Sequence, residues 1–151
     1  MIANDLPLVR RWLGTPHVIE WWGKPSEQFD LISGDLDHAA MQQFIVTHLG
    51  RPFGYLQCYD VHAWDGGLGL HPKGTRGIDQ FIGEADMLDC GHGSAFIRFF
   101  IERLLGATPR VVTDPDPANA RAIRAYEKAG FQKDRLLDTP DGRALLMVRN
   151  A

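Results

Sequence analysis

The stretch that most constrains this chain is Asp89-Cys90-Gly91-His92-Gly93-Ser94, a glycine-bearing turn between two strongly patterned segments. Before it runs Gly77-Ile78-Asp79-Gln80-Phe81-Ile82-Gly83, an apolar, strand-like run interrupted by one carboxylate. After it, Phe96, Ile97, Phe100, Ile101, Leu104 and Leu105 recur at helical spacing, which predicts a helix from Gly93 to Leu105. Two glycines around one residue let the backbone turn sharply and come close to a ligand, and the first N–H groups of a helix have no partners inside it. Such a helix start suits phosphate or pyrophosphate, held by backbone donors and the helix dipole. Gly91 and Gly93 alone are equally consistent with a tight turn before a buried helix, so the remainder of the chain must decide.

The chain has 151 residues, of which 44% are hydrophobic, and a formal net charge of −3; this is ordinary composition for one globular domain, expected to span 1–151. No Lys/Arg run supplies the basic face that nucleic acid requires, so nucleic acid is excluded as the main partner. No apolar run approaches the roughly 18 residues needed to span a bilayer, and no membrane partner is expected. Cys58 and Cys90 form no CxxC pair, and no charged-then-apolar leader precedes Asn4, which makes cytoplasmic the simplest localisation. No second His or Cys stands at a metal-binding interval from His48 or His62, so no metal is expected.

Taken in order, Asn4 to Leu13 reads as a helix capped by Asn4 with Pro7 in its first turn. Thr15 to Gly23 reads as a second, short helix ending in Trp21-Trp22, of which one ring packs in the core and the other can wall a pocket. Between Lys24 and Ala40 the pattern is poor: Pro25-Ser26 can open a helix, and Phe29 to Ile32 can equally form a short strand. Gln42 to Leu49 and Pro52 to Val61 make an antiparallel hairpin, followed by a glycine-rich loop from His62 to Arg76 that is either functional or a plain surface excursion. After a short strand near Val111, a helix runs from Pro117 to Ala129, capped by Asp116 and ended by Gly130. Phe131 to Asp138 and Arg143 to Val148 close the chain as a hairpin about Thr139-Pro140-Asp141-Gly142.

The run Asn119-Ala120-Arg121-Ala122-Ile123-Arg124-Ala125-Tyr126-Glu127-Lys128-Ala129-Gly130-Phe131 resembles the N-A-x-x-x-Y-x-K-x-G-F signature of the GNAT superfamily of acyl-CoA-dependent N-acyltransferases. Cys90-Gly91-His92-Gly93-Ser94 falls where that family carries its pyrophosphate loop, with Leu88 in place of the usual Gln or Arg. Gly77-Ile78-Asp79-Gln80, Thr139-Pro140-Asp141-Gly142 and Glu20-Trp21-Trp22-Gly23 are together similar to the aminoglycoside 6'-N-acetyltransferases, more closely after Gly74 than before it. The implied fold is α+β: a central mixed, mostly antiparallel sheet of about six to seven strands, splayed between the fourth and fifth and flanked by about four helices.

The resemblance also implies a chemistry. Acetyl-CoA is the co-substrate, with its pantetheine arm against the backbone of Phe81, Ile82 and Gly83, its pyrophosphate on Cys90, Gly91, His92, Gly93 and Ser94, and its arm in contact with Asn119. Asp79 matches the position of the general base, and a carboxylate in an apolar strand is expected to have a raised pKa. Tyr126 matches the residue that protonates the departing thiolate, for which a phenol pKa near 10 is suitable. Cys90 is a turn residue rather than a nucleophile. Trp22, Asp60, Trp64, Asp65 and Asp141 are candidates for holding a polycationic small-molecule amine, with an aminoglycoside the first choice and a siderophore precursor, a peptide amine or a non-catalytic acyl-CoA sensor the alternatives. Many members of the superfamily are homodimers, and that assembly is open to this chain.

Overall fold

A computed structural model describes residues 1–64 and 66–151. A one-turn 3-10 segment, Ala3–Asp5, leads into α1 (Leu6–Leu13), α2 (Pro16–Trp22) and α3 (Pro25–Gly34). The sheet strands β1 (Met41–His48), β2 (Arg51–Asp60) and β3 (Arg76–Ile82) follow, then α4 (His92–Leu104), β4 (Arg110–Thr113), α5 (Ala120–Lys128), β5 (Gln132–Thr139) and β6 (Gly142–Asn150). Among the described residues no helix is long and apolar enough to cross a membrane.

Local chemistry sets most helix starts. Proline occupies the first turn of each of the first three helices, where its missing N–H costs nothing. Asn4 does not cap α1; it lies inside the 3-10 turn, and the Asp5 carboxylate accepts from Ile2 N–H instead. The expected cap of α5 also moves. Asp116 Oδ1 accepts from Ala118 N–H in a turn, and it is Asn119 Oδ1 that accepts from Ala122 N–H at 3.0 Å, so the helix begins three residues later than the Asp-Pro pair suggested.

The six strands lie in the order β1-β2-β3-β4-β6-β5. Phe29 to Ile32 belong to α3 rather than to a strand, so the sheet takes the smaller of the expected strand numbers and the splayed pair is β3 and β4. That pair is parallel, with only Arg76↔Val111 and Gly77↔Val112 in register; every other neighbouring pair is antiparallel. Beyond Thr113 the chain continues as Asp114-Pro115-Asp116-Pro117, and Pro115 O is taken by Leu145 N–H from β6. Two prolines cannot donate to a ladder, so this segment leaves β3 and follows β6, and the sheet opens.

Each sheet face carries its own core. On one, Leu56, Cys58, Ile78 and Val111 pack with Ile97 and Ile101 of α4 and Ile123 and Tyr126 of α5. On the other, Tyr55 and Phe81 pack with Val9, Trp12 and Leu13 of α1, Val18 of α2 and Ile32 of α3. The alternation is that of a strand buried on both sides. α1 is pinned to the end of β3: a Cβ on Gly83 would lie 2.2 Å from the Trp12 ring, and Trp12 Nε1 and Arg11 both donate to Glu84 Oε1. Gly77 is held in the same way, since its Cβ would meet the ring of its cross-strand partner Tyr59 at 2.3 Å.

Candidate active site

Because β4 departs after two residues, one side of β3 lacks a neighbouring strand from Ile78 onward. Strand alternation decides which groups face that opening. Gly83 N–H donates to Phe53 O at 2.8 Å, which turns Gly83 and, two residues earlier, Phe81 toward β2. Ile82 and Gln80 therefore present their N–H and C=O groups to the gap, and His17 Nε2 from α2 lies 2.9 Å from Ile82 O. Of the three backbone positions expected to meet the coenzyme arm, Ile82 is available. Phe81 and Gly83 have spent theirs on the sheet.

The turn ahead of α4 is left-handed at two positions. Asp89 has φ +56° and Gly91, the N-terminal cap residue of α4, has φ +80°, so two left-handed residues within three swing the backbone toward the cleft. Gly91 is required by its φ, whereas a Cβ on Gly93 would meet Ile82 Cδ1 at 3.7 Å, an ordinary contact. A cleft of about 210 Å³ runs from this turn along β3 to α5, bordered by Gly91, Gly93, Ser94, Ile82 and Asn119 and by the cations Arg121, Arg124 and Lys128. These three cations were not foreseen as site residues, although their spacing along one helix was legible. Two loop side chains turn elsewhere. Cys90 Sγ faces its own backbone, 3.2 Å from Leu88 O, and the His92 ring packs on His48 and Phe53 with centroids 4.7 and 5.5 Å away.

A second cavity of about 630 Å³ adjoins the cleft, with Trp21, Trp22, Gln80, Asn119 and Ala122 bordering both. Its walls are acidic: Asp79, Asp114 and Asp141 line it together with Glu27, Asp35 and Asp116. Trp22, Trp64 and Asp141 line this cavity. Asp60 is not among the lining residues; at the end of β2 its Oδ1 accepts from His62 N–H in a local turn. Asp65 lies outside the described residues. Trp22 stands edge-on to Phe81 and Tyr55, with centroids 4.9 and 6.1 Å apart, so a core contact fixes a ring that also walls both cavities.

The electrostatics centre on Asp79. It sits opposite Gln57 in the β2/β3 register, and Gln57 Nε2 donates to its Oδ2 at 2.8 Å. Burial pushes its pKa up to about 6; the Gln57 bond opposes the rise and the charge of Asp141 adds to it. Asp114, missed in the sequence because it reads as the start of a proline loop, rises further, to about 8, through burial and then the charges of Asp79 and Asp141. Neighbouring carboxylates of this kind release their protons as a set. Tyr126, 4% exposed, departs from the expected phenol: burial raises its pKa well above 10, and Asp79 and Asp114 add to the rise against Thr113 and Gln80. A phenol so raised keeps its proton and offers it in a hydrogen bond.

The chain, with its sheet opened beside a glycine-led helix start and a half-buried carboxylate on the opened strand, matches a known family. The model of the acetyltransferase (GNAT) domain matches residues 1–139, and the chain belongs to that family. Within it, the chain is 36% identical to the aminoglycoside N(6')-acetyltransferase type 1 of Klebsiella pneumoniae, over 99% of this chain and 80% of the relative. It is 45% identical to a kanamycin resistance protein of Rhizobium radiobacter over 50% of this chain and 72% of the relative. Among solved structures, AAC(6')-Ib in complex with kanamycin and coenzyme A superposes with a TM-score of 0.88 at 35% identity, covering 99% of this chain and 91% of that one.

Proposed function

We propose that this protein transfers the acetyl group of acetyl-CoA to an amine of an aminoglycoside, the 6'-amine by its kinship with the N(6')-acetyltransferases. The observation that carries the reading is the carboxylate set Asp79, Asp114 and Asp141 in the wall of the larger cavity that adjoins the cleft. A polyamine sugar arrives as a cation, and a low-dielectric acidic cavity concentrates cations. The residues of the cleft fit the coenzyme: the backbone of Gln80 and the N–H of Ile82 for an amide-bearing arm, the left-handed turn at Gly91 for pyrophosphate, and three cations beyond it. When bound, the thioester supplies the acetyl group.

The chain's own residues supply the rest. Asp79 takes the proton of the substrate ammonium, which frees the nitrogen lone pair for attack; a carboxylate near pKa 6 is mostly ionised at neutral pH and still a usable base. The N–H of Ile82 or Gln80 faces the gap, where it can receive the oxyanion that develops on the attacked carbonyl. Tyr126 offers its hydroxyl hydrogen to the departing sulfur. Asn119 and the amides of Gly91, Gly93 and Ser94 hold the coenzyme, while Trp22, Trp64 and Asp141 hold the acceptor.

Mass-spectrometric analysis of acetyl transfer to a panel of kanamycin-type aminoglycosides, polyamines, hydroxylysine and short peptides tests this directly. A singly acetylated aminoglycoside is expected. Transfer only to another amine refutes the substrate, and silence on every amine with retained acetyl-CoA binding refutes the enzyme in favour of a sensor.

A further inference from the structure

Asp79 is the end of a part-buried hydrogen-bond chain that runs through Gln57, which also lines the larger cavity, to Tyr55, which does not. Tyr55 Oη donates to Gln57 Oε1 at 2.9 Å, and Gln57 Nε2 donates to Asp79 Oδ2 at 2.8 Å. Tyr55 is fully buried, stacked on Phe81 with centroids 5.3 Å apart. We propose that Tyr55 is a positioning residue that holds the Gln57 amide in one orientation and thereby keeps Asp79 in its proton-accepting, ionised form. This rests on the reading of Asp79 as the base.

The argument is one of donor and acceptor inventory. A primary amide has an oxygen that accepts and a nitrogen that donates, and rotating it by half a turn exchanges them. In the observed orientation the phenolic hydrogen meets Oε1 and the nitrogen faces Asp79. The opposite orientation sets an amide oxygen against a carboxylate oxygen, which is acceptable only when Asp79 carries a proton. Tyr55 has no other role that needs its hydroxyl: its ring satisfies the core. Burial also raises the Tyr55 pKa, so its hydrogen stays in place at every working pH.

The other groups facing Asp79 all work against ionisation or are indifferent to it. Asp141 comes from the β5–β6 turn and Asp114 from the segment after β4; Tyr126 comes from α5 and Tyr59 from β2. Among these neighbours the Gln57 amide is the one whose hydrogen bond lowers the Asp79 pKa.

The test is a carboxyl carbon-13 NMR titration of aspartate-labelled protein, with the Asp79 signal identified by its loss in Asp79→Asn. Tyr55→Phe keeps the ring and removes the hydroxyl; Gln57→Met keeps the volume and removes the amide. Each is expected to move the Asp79 midpoint up by about one pH unit. The double variant is expected to move it no further than Gln57→Met alone, because the tyrosine acts through the amide. A midpoint that stays put in Tyr55→Phe, or two shifts that add, overturns the relay. Should Tyr55→Phe not fold, an unmoved midpoint in Gln57→Met overturns it as well. The acidic limb of kcat/KM should follow the same shift with KM for acetyl-CoA unchanged. If Asp79→Asn itself leaves that limb intact, the base assignment fails, and the NMR midpoint still decides the relay.

Discussion

Asp79→Asn should disable the enzyme while making the protein harder to unfold. The carboxyl titrates near 3.8 in an unfolded chain and about 6 in the folded one, chiefly because burial disfavours its charge. A folded pKa above the unfolded one means the native state holds the proton more tightly, so this group's contribution to stability is complete below pH 3.8 and is lost as pH rises through about 6. The shift of roughly 2 units corresponds to about 3 kcal/mol of strain carried at neutral pH. Asparagine keeps a carbonyl oxygen for Gln57 Nε2 and carries no charge, and it relieves Asp114 and Asp141 of a neighbour that repels them. Thermal unfolding at pH 7.5 and at pH 4 checks this: the variant should melt several degrees above the parent at pH 7.5, with the gap closing toward pH 4. Acetyl transfer should fall by about 10²- to 10⁴-fold, and the rise in rate with pH near 6 should vanish. A variant that melts no higher than the parent at pH 7.5 would refute burial as the source of the raised pKa.

Three further outcomes follow from the geometry. Tyr126→Phe should lower kcat on the scale of a lost transition-state hydrogen-bond donor, about 10²-fold or more, with acetyl-CoA affinity by calorimetry nearly unchanged; an unchanged kcat removes the hydroxyl from the reaction. Gly77→Ala sets a methyl 2.3 Å from the Tyr59 ring and should cost about 1–3 kcal/mol in denaturant unfolding, with a loss of acceptor affinity because Tyr59 also lines the larger cavity. Gly91→Ala meets open space but must hold φ at +80°, so it should cost about 1 kcal/mol of stability and weaken acetyl-CoA binding more than aminoglycoside binding, which paired calorimetric titrations distinguish.

The residues legible in the sequence were those whose signal is local. Gly91 declares itself by lying between a strand pattern and a helix pattern, and Tyr126 by its place in a helix motif. Asp60, Asp65 and Asp141 are indistinguishable at that level, each an acidic residue near a turn. Only the folded chain shows that Asp141 reaches the cavity while Asp60 binds its own backbone. Asp114 gave no signal because its neighbours in sequence are prolines, and its partner Asp79 lies across the opening in the sheet. Gln57 was equally silent, since a glutamine in a strand says nothing until the opposite residue is known to be Asp79.

By itself the sequence determined the order of elements outside Lys24 to Ala40, the glycine turn ahead of α4 and, through its motifs, the family. The elements and the turn follow from periodicities of two and 3.6 and from the backbone freedom of glycine, which act over a few residues, while the family rests on the resemblance of its motifs. The tertiary structure alone decided which backbone groups of β3 meet the gap, because register with β2 commits Phe81 and Gly83 and releases Gln80 and Ile82. It also decided the protonation of the site. A pKa depends on what lies nearby in space and on how much water is excluded, and both are set by chain segments that the sequence keeps far apart.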